Sequence, residues 1–410
     1  MIIETPPTVD LKKVKKDFRV FDHPENEGLV YLDSASTAQR PHMVLEATDR
    51  FNEEYNSNIH RSAYRLAEKA TAGYECARLR AAQFIGADQS EIVFTRGATE
   101  SLNMVAYGWA HKFLKPGDGI LTTTLEHHSN LVPWQVAAQR TGATLKLAGM
   151  TPQGELDMQS FYQQLTPKTR LVAVTQGSNV TAALVDLEPI IEAAHSVGAL
   201  VVVDGCQYVP HAAVNVRELD VDFYAFSGHK MMGPMGIGIL YAKQHLLEEM
   251  DPVYFGGSMI HSVDYTQSTW ADPPWKFEAG TQNIPAVIGL NAAIDYIESL
   301  GRREIEKYIA GLVRQAFDKL VHMKGIEVYG PRDNRLPILS FNIDGVHSHD
   351  AATFFDSKKM AIRSGQHCAS LIMKHFGVSA MARASFYIYN TADDVERFLQ
   401  TVEETRNFFQ

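Results

Sequence analysis

The sequence predicts an α/β protein: a large domain built on a mainly parallel sheet with helices on both faces, and a smaller α+β domain at the C-terminus. Three observations carry this reading. Short apolar runs alternate with amphipathic helical stretches as far as Leu300, the pattern of strands buried on both faces by helices. The texture then changes to one long helical stretch followed by separated strands. No internal repeat, low-complexity linker or membrane-length apolar run interrupts the chain.

The elements follow in order. VLEATDRFNEEY places Leu45, Thr48, Phe51 and Tyr55 at helical spacing. EIVFT (91–95) reads as a strand, closed by Gly97 and followed by a helix from Thr99. GILTTT (119–124) is a second strand, with a helix from about Leu131. TRLVAVTQ (169–176), ALVVVD (199–204), VDFYAFS (221–227) and GIGILYA (236–242) are compact β-rich runs. SLGRREIEKYIAGLVRQAFDKLVHM reads as a long helix, ILSFNID (338–344) and RASFYIYN (383–390) as strands. VERFLQTVEETRNFF closes the chain with Val395, Phe398, Leu399 and Val402 on one face. The expected division is 23–297 for the large domain and 298–410 for the small one, with 1–22 packing against the latter.

Composition narrows the function classes. The 410 residues are 45% apolar and 21% charged, ordinary for a globular protein. Thirty-eight basic against 48 acidic residues leave a net charge of −10, which argues against non-specific nucleic-acid binding. The polar, proline-bearing start MIIETPPTVDLKKVKKDF has no signal-peptide core, so a cytoplasmic protein with no membrane association is expected. Three cysteines make no disulfide framework. Cys76, in a helical stretch, reads as a buried small residue.

In sheets of this kind ligands sit beyond the C-terminal strand ends. Those ends carry Gly97-Ala98-Thr99, Glu126-His127-His128, Ser178-Asn179, Asp204-Gly205-Cys206-Gln207 and Ser227-Gly228-His229-Lys230. The set matches what pyridoxal phosphate requires: an amine for an imine link, an acid for the pyridine nitrogen, a helix start with hydroxyls for the phosphate, and a flat ring to stack on. Taken alone, Asp204 after VVVD reads as a helix cap or salt-bridge partner. Lys230 taken alone reads as a solvated lysine, but Phe226, Met231 and Met232 flank it, and a lysine in apolar surroundings becomes a nucleophile. GPMGIG could suggest a nucleotide loop, yet it runs on into a strand rather than a helix. His127 and His128 lack companions at zinc spacing, so no metal is expected. One reads as a stacking ring, the other as a hydrogen-bonded core residue.

At these residues the chain resembles the class V fold-type I aminotransferase superfamily, and within it the group II cysteine desulfurases. The segments are YLDSAST, NIHRS, TRGATESLNMVA, LEHHSNLVPWQ, SNVT, VVVDGCQ, DFYAFSGHK, GPMGIGILY, FEAGTQN and RSGQHCA. RSGQHCA and SNVT look closest to the cysteine sulfinate desulfinase branch. The resemblance implies a fold-type I transferase using pyridoxal 5′-phosphate, with Lys230 as its Schiff-base lysine. It implies Asp204 on the pyridine nitrogen, Gln207 on the ring hydroxyl with Asn179 nearby, and His127 stacked on the ring. Ala98, Thr99, Ser227 and His229 would hold the phosphate, and Thr281 the phosphate of a second subunit in a homodimer. Arg383 would bind the carboxylate of substrate L-cysteine, with Asn179, His60 and Arg363 around it. Cys368 would take the sulfur as a persulfide and pass it to a SufE-like acceptor protein.

Two of these roles also have a chemical argument. A substrate held by its amine leaves a carboxylate free, which suits an arginine. Cys368 lies in a polar loop beside His367, with Arg363 near in sequence, surroundings that favour a thiolate. Departures from the family pattern are Cys206 where alanine is usual, SNVTAALVDL without its usual glycines, and Tyr64 where SUF-type members have histidine. Cysteine sulfinate and selenocysteine are further candidate substrates, and iron–sulfur assembly a candidate use. The alternatives are another class V lyase and a non-catalytic sulfur-carrier or assembly scaffold.

Overall fold

The structure is a computed structural model and describes residues 11–410. Its main sheet has seven strands: β1 Ile92–Thr95, β2 Gly119–Thr123, β3 Thr144–Ala148, β4 Thr169–Thr175, β5 Leu200–Asp204, β6 Phe223–Ser227 and β7 Gly238–Ala242. Their order is β1-β7-β6-β5-β4-β2-β3, and only β7 runs antiparallel to its neighbours. Every residue of β1, β2, β6 and β7 is buried, which is why these runs are apolar without alternation. The edge strand β3 is missing from the sequence reading. Its TLKLA carries a lysine and is only partly buried, so it lacks that signal.

Helices cover both faces. Helix α1 (His42–Glu54) and α2 (Arg65–Ile85) pack on α4 (Ile284–Leu300), while α3 (Ala98–Val105) lies against β6 and β7. The expectation for Cys76 is overturned: it is exposed. The buried face of α2 runs through Ala70, Tyr74, Ala77, Ala81 and Phe84, and position 76 falls on the other side.

A second, antiparallel sheet holds β8 Ile326–Tyr329, β9 Ile338–Ile343, β10 Arg363–Gly365 and β11 Met381–Ser385, in the order β8-β9-β11-β10. Helices α5 (Arg302–Leu320) and α6 (Ala392–Phe409) pack together beside it. Two expectations shift here. The long helix begins only after Gly301, whose left-handed φ of +83° separates α4 from α5. The strand expected over 383–390 ends at Ser385. Phe386 to Tyr389 stay apolar because they are buried in a turn, which Asn390 closes by accepting the Tyr387 amide.

One continuous hydrophobic core runs under both sheets, including Val203, Phe341 and Val402. Residues 1–10 of the N-terminal segment lie outside the described residues. From Leu11 onward, Phe18 packs edge-on against Tyr389 and Tyr296, and Lys15 pairs with Asp394 at 3.5 Å.

Candidate active site

The strand ends of the main sheet open into a cavity of about 210 Å³, lined on the far side by residues of the small sheet. Register explains the convergence. Thr175 at the end of β4 sits opposite Asp204 at the end of β5, and Asp204 opposite Ala225 in β6. The polar residues that follow each strand therefore emerge at one level.

One end of the cavity is an anion cup. Gly97 turns the chain from β1 into α3 with φ +153°, and a Cβ there would crowd Ser227 Oγ at 3.4 Å. The freed Ala98 amide donates to Ser227 Oγ at 2.9 Å, while Thr99 Oγ1 and Ser129 Oγ lie 2.8 Å apart. Three hydroxyls at the start of an eight-residue helix suit a phosphate.

The middle holds the titratable groups. Asp204 is 5% exposed, and its Oδ1 accepts the Cys206 amide at 2.9 Å. His127 Nδ1 accepts the Ser129 amide at 3.1 Å. Burial, with the nearby Lys230 ammonium, lowers its pKa to about 4, so the ring is neutral at pH 7. Burial first, and Lys230 second, likewise lower His229 to about 4. Behind His127 is Glu126, buried, accepting from Thr123 Oγ1, Asn130 Nδ2 and the Thr175 amide at 2.7, 2.6 and 3.0 Å. Burial prevails over those three donors and pushes its pKa up to about 8. Cys206 also lines the cavity, but burial and Asp204 drive its thiol pKa far up, leaving an unreactive thiol.

The opposite wall comes from the small sheet and its loop. Arg363 and Arg383 face each other across β10 and β11. Arg383 is 2% exposed and donates to Asp33 Oδ1 at 3.0 Å, Ser36 Oγ at 2.8 Å and the Asn179 carbonyl at 3.0 Å. Arg363 donates to Ser36 Oγ at 2.7 Å. Cys368 lines the same cavity and is exposed.

Three buried polar atoms on residues lining this cavity have no partner among the described residues: Asn179 Oδ1, His367 Nδ1 and Arg383 Nε. Unpaired polar groups in one cavity mark a place built for a polar ligand. Together with the hydroxyl cup, Asp204, the neutral His127 ring and Lys230, they fit pyridoxal 5′-phosphate carrying an amino-acid substrate.

Of the site residues read from sequence, Lys230, Asp204, His127, Ala98, Thr99, Asn179, Ser227, His229, Arg363, Arg383 and Cys368 line this one cavity. Three do not. Gln207 is buried beside it, donating to the Ala35 carbonyl at 2.9 Å. His60 is exposed and bound to Glu75 at 2.9 Å. Thr281 is exposed in a larger cavity of about 560 Å³ with Arg96 and Tyr254, away from Lys230. Sequence reasoning missed Asp33 and Ser36, which hold Arg383. Their signal was the position of YLDSAST beside the other matching segments, but its contact with residue 383 spans 350 positions.

The chain matches the aminotransferase class-V family over residues 30–398. It is 46% identical over 399 residues to a probable cysteine desulfurase of Halalkalibacterium halodurans, covering 97% of this chain and 98% of that one. Among solved structures it resembles the cysteine desulfurase CsdA of Escherichia coli, with TM-score 0.92 and 40% identity over 98% of this chain and all of that one. It also resembles a cysteine desulfurase of Thermococcus onnurineus, with TM-score 0.93 and 39% identity over the whole of both chains. On this evidence the chain belongs to the aminotransferase class-V family.

Proposed function

We propose that this chain is a pyridoxal-phosphate-dependent cysteine desulfurase that converts L-cysteine to L-alanine and takes the sulfur onto Cys368. The observation that carries the reading is a single cavity with Lys230, Asp204 and His127 on one side and Cys368, Arg363 and Arg383 on the other. The relatives named as cysteine desulfurases support it.

The chemistry the cofactor supplies when bound is electron withdrawal from the substrate through its protonated ring. Asp204 would hold the ring nitrogen's proton, and the neutral His127 would pack on the ring. The hydroxyls of Thr99 and Ser227, with the Ala98 amide that now donates to Ser227 Oγ, would seat the phosphate, with His229 beside them. Arg383, steadied by Asp33, orients the substrate carboxylate with Arg363 and Asn179. Lys230 Nζ is the base that moves the Cα proton. Cys368 Sγ gives up its proton and attacks the substrate sulfur. An S–S bond forms, the Cβ–S bond breaks, and its electron pair takes up a proton at Cβ of the departing alanine.

The exposure of Cys368 suits onward transfer of the persulfide sulfur to an acceptor, for which a SufE-like protein is the expected class. Cysteine sulfinate and selenocysteine differ from cysteine only at the γ atom, so both belong to the proposed substrate range. Gln207, buried beside the cavity, would complete the site, while His60, packed on Tyr74 of the cavity that holds Thr281, would with Thr281 serve a second subunit. A boundary at 297/298, just before the Gly301 break, leaves the floor residues in the large domain and the arginines with Cys368 in the small one. No helix among the described residues is long and apolar enough to cross a membrane.

The test is incubation of the holoenzyme with L-cysteine, followed by alanine quantification and mass spectrometry of the intact protein and of its peptides. Equimolar alanine and a sulfur adduct on the Cys368 peptide are expected. Pyruvate in place of alanine, without an adduct, would assign the chain to a class V lyase instead.

A further inference from the structure

Cys368 sits in an unusual backbone. It and His367 both lie in the left-handed region, with φ of +55° and +53°, and neither is glycine. Consecutive side-chain-bearing residues persist there only when their surroundings hold them. The holding groups come from distant parts of the chain. Asn179 Nδ2 donates to the His367 carbonyl at 2.8 Å, and His367 Nε2 lies 3.0 Å from the Met381 carbonyl. The most complete grip belongs to His128. Its backbone amide donates to the Cys368 carbonyl at 2.7 Å. Its ring Nε2 accepts the Ser370 amide at 3.1 Å and lies 2.9 Å from Ser370 Oγ.

His128 thus bonds the backbone at Cys368 itself and again two residues later. The Ser370 amide is the donor, so Nε2 carries the lone pair and the ring is in its Nδ1–H form. Ser370 opens the helix Ser370–Phe376, so the contact fixes where that helix begins and how the preceding loop must turn to reach it. His128 also follows His127 directly. The turn that presents the ring-packing residue therefore also anchors the thiol loop.

We propose that His128 is a positioning residue that holds the Cys368 loop in its left-handed conformation, so that Sγ meets the substrate sulfur. It touches neither cofactor nor substrate and acts through the loop. This rests on the reading of Cys368 as the sulfur acceptor.

The experiment compares the holoenzymes of His128→Ala, His128→Gln, Ser370→Pro and Cys368→Ala with wild type. Two events are followed after mixing with L-cysteine: the early change in cofactor absorbance, and the growth of the sulfur adduct by quenched-flow mass spectrometry. In His128→Ala the early absorbance change should stay at its wild-type rate, while adduct formation slows about a hundredfold, the scale of an ångström-sized misplacement. His128→Gln keeps an acceptor for the Ser370 amide and should recover most of that rate. Ser370→Pro removes both the amide and the hydroxyl that His128 Nε2 engages, and should slow the adduct step without touching His128. A wild-type adduct rate in His128→Ala overturns the proposal, as does a His128→Gln variant as slow as the alanine. Should His128→Ala fail to fold, Ser370→Pro decides alone, and an unchanged adduct rate there is the overturning result. Cys368→Ala separates the two readings. An adduct that survives in it overturns the parent reading and this one together. Its disappearance, with unchanged His128 variants, overturns this one only.

Discussion

The two sides of the cavity are built on different physical terms. The floor, with Asp204, His127 and Lys230, hangs from the ends of buried strands, and its backbone is set by the ladder of a seven-stranded sheet. The wall, with Cys368 and the two arginines, stands on a shorter sheet and a left-handed loop, held by side chains from residues far away in sequence. A cofactor that must not move sits on the rigid side. In the proposed reaction the thiol, which would first meet the substrate and then release its sulfur, sits on the side whose geometry depends on a few replaceable hydrogen bonds.

The sharpest break of the comparison is on the floor. Lys230→Ala should lose the covalent cofactor link and its absorbance, and activity should fall by on the order of 10²–10⁴-fold from the missing proton transfer alone. Normal absorbance with normal turnover would remove Lys230 from the site. Asp204→Asn should fold and bind cofactor but lose roughly 10²–10³-fold in turnover, because an amide cannot hold the ring nitrogen protonated. Steady-state rates within error of wild type would reduce Asp204 to a cap for the Cys206 amide.

On the wall, effects should depend on the substrate. Cys368→Ala should bind cofactor and cysteine yet form no persulfide, while retaining activity on cysteine sulfinate within roughly tenfold of wild type, since that C–S bond can break without thiolate attack. Equal losses on both substrates would contradict the role of Cys368. Cys206→Ala should lose little on either, because its thiol is buried and held protonated. Asp33→Asn probes the support of Arg383. It should raise KM for cysteine with the cofactor absorbance intact, and lower stability by roughly 1–3 kcal/mol, less than the penalty for an unpaired buried charge because the amide can still accept a hydrogen bond. An unchanged KM would mean that Arg383 keeps its place without the ion pair.

The smallest effect is on stability and pH. His127 and His229, near 4, and His211 and His367, near 3, all titrate below the usual 6.5, with burial the main cause. Between these values and 6.5 the four histidines bind more protons in the unfolded chain than in the folded one, and they outweigh the single opposing carboxyl of Glu126, held protonated up to about 8, so stability should rise with pH across that window. Thermal melts of the holoenzyme from pH 5 to 7 should show Tm climbing. A flat profile would mean that these histidines are not held neutral by the fold.

Much of this arrangement was legible in the chain. VVVD and FSGHK each end a buried strand run in polar residues, and LEHH follows the buried run GILTT, so both the sheet and the floor residues show in local pattern. Other parts were not. TLKLA was missed because a half-buried edge strand lacks a continuous apolar run. Phe386 to Tyr389 look like strand because burial, not pairing, demands their apolar side chains. Cys76 sits on a helix whose small residues did not reveal which face was buried.

The division has one physical reason. Periodicity and strand-end chemistry are short-range properties, so the order of residues by itself determined an α/β sheet and its cofactor class, and nominated Lys230, Asp204 and His127 as candidates. Which groups meet across hundreds of residues is decided only when the chain packs. The tertiary structure alone paired Arg383 with Asp33, left Asn179 Oδ1, His367 Nδ1 and Arg383 Nε without partners in one cavity, and set His128 against the loop of Cys368. Those contacts depend on burial and distance, which no local stretch of sequence encodes.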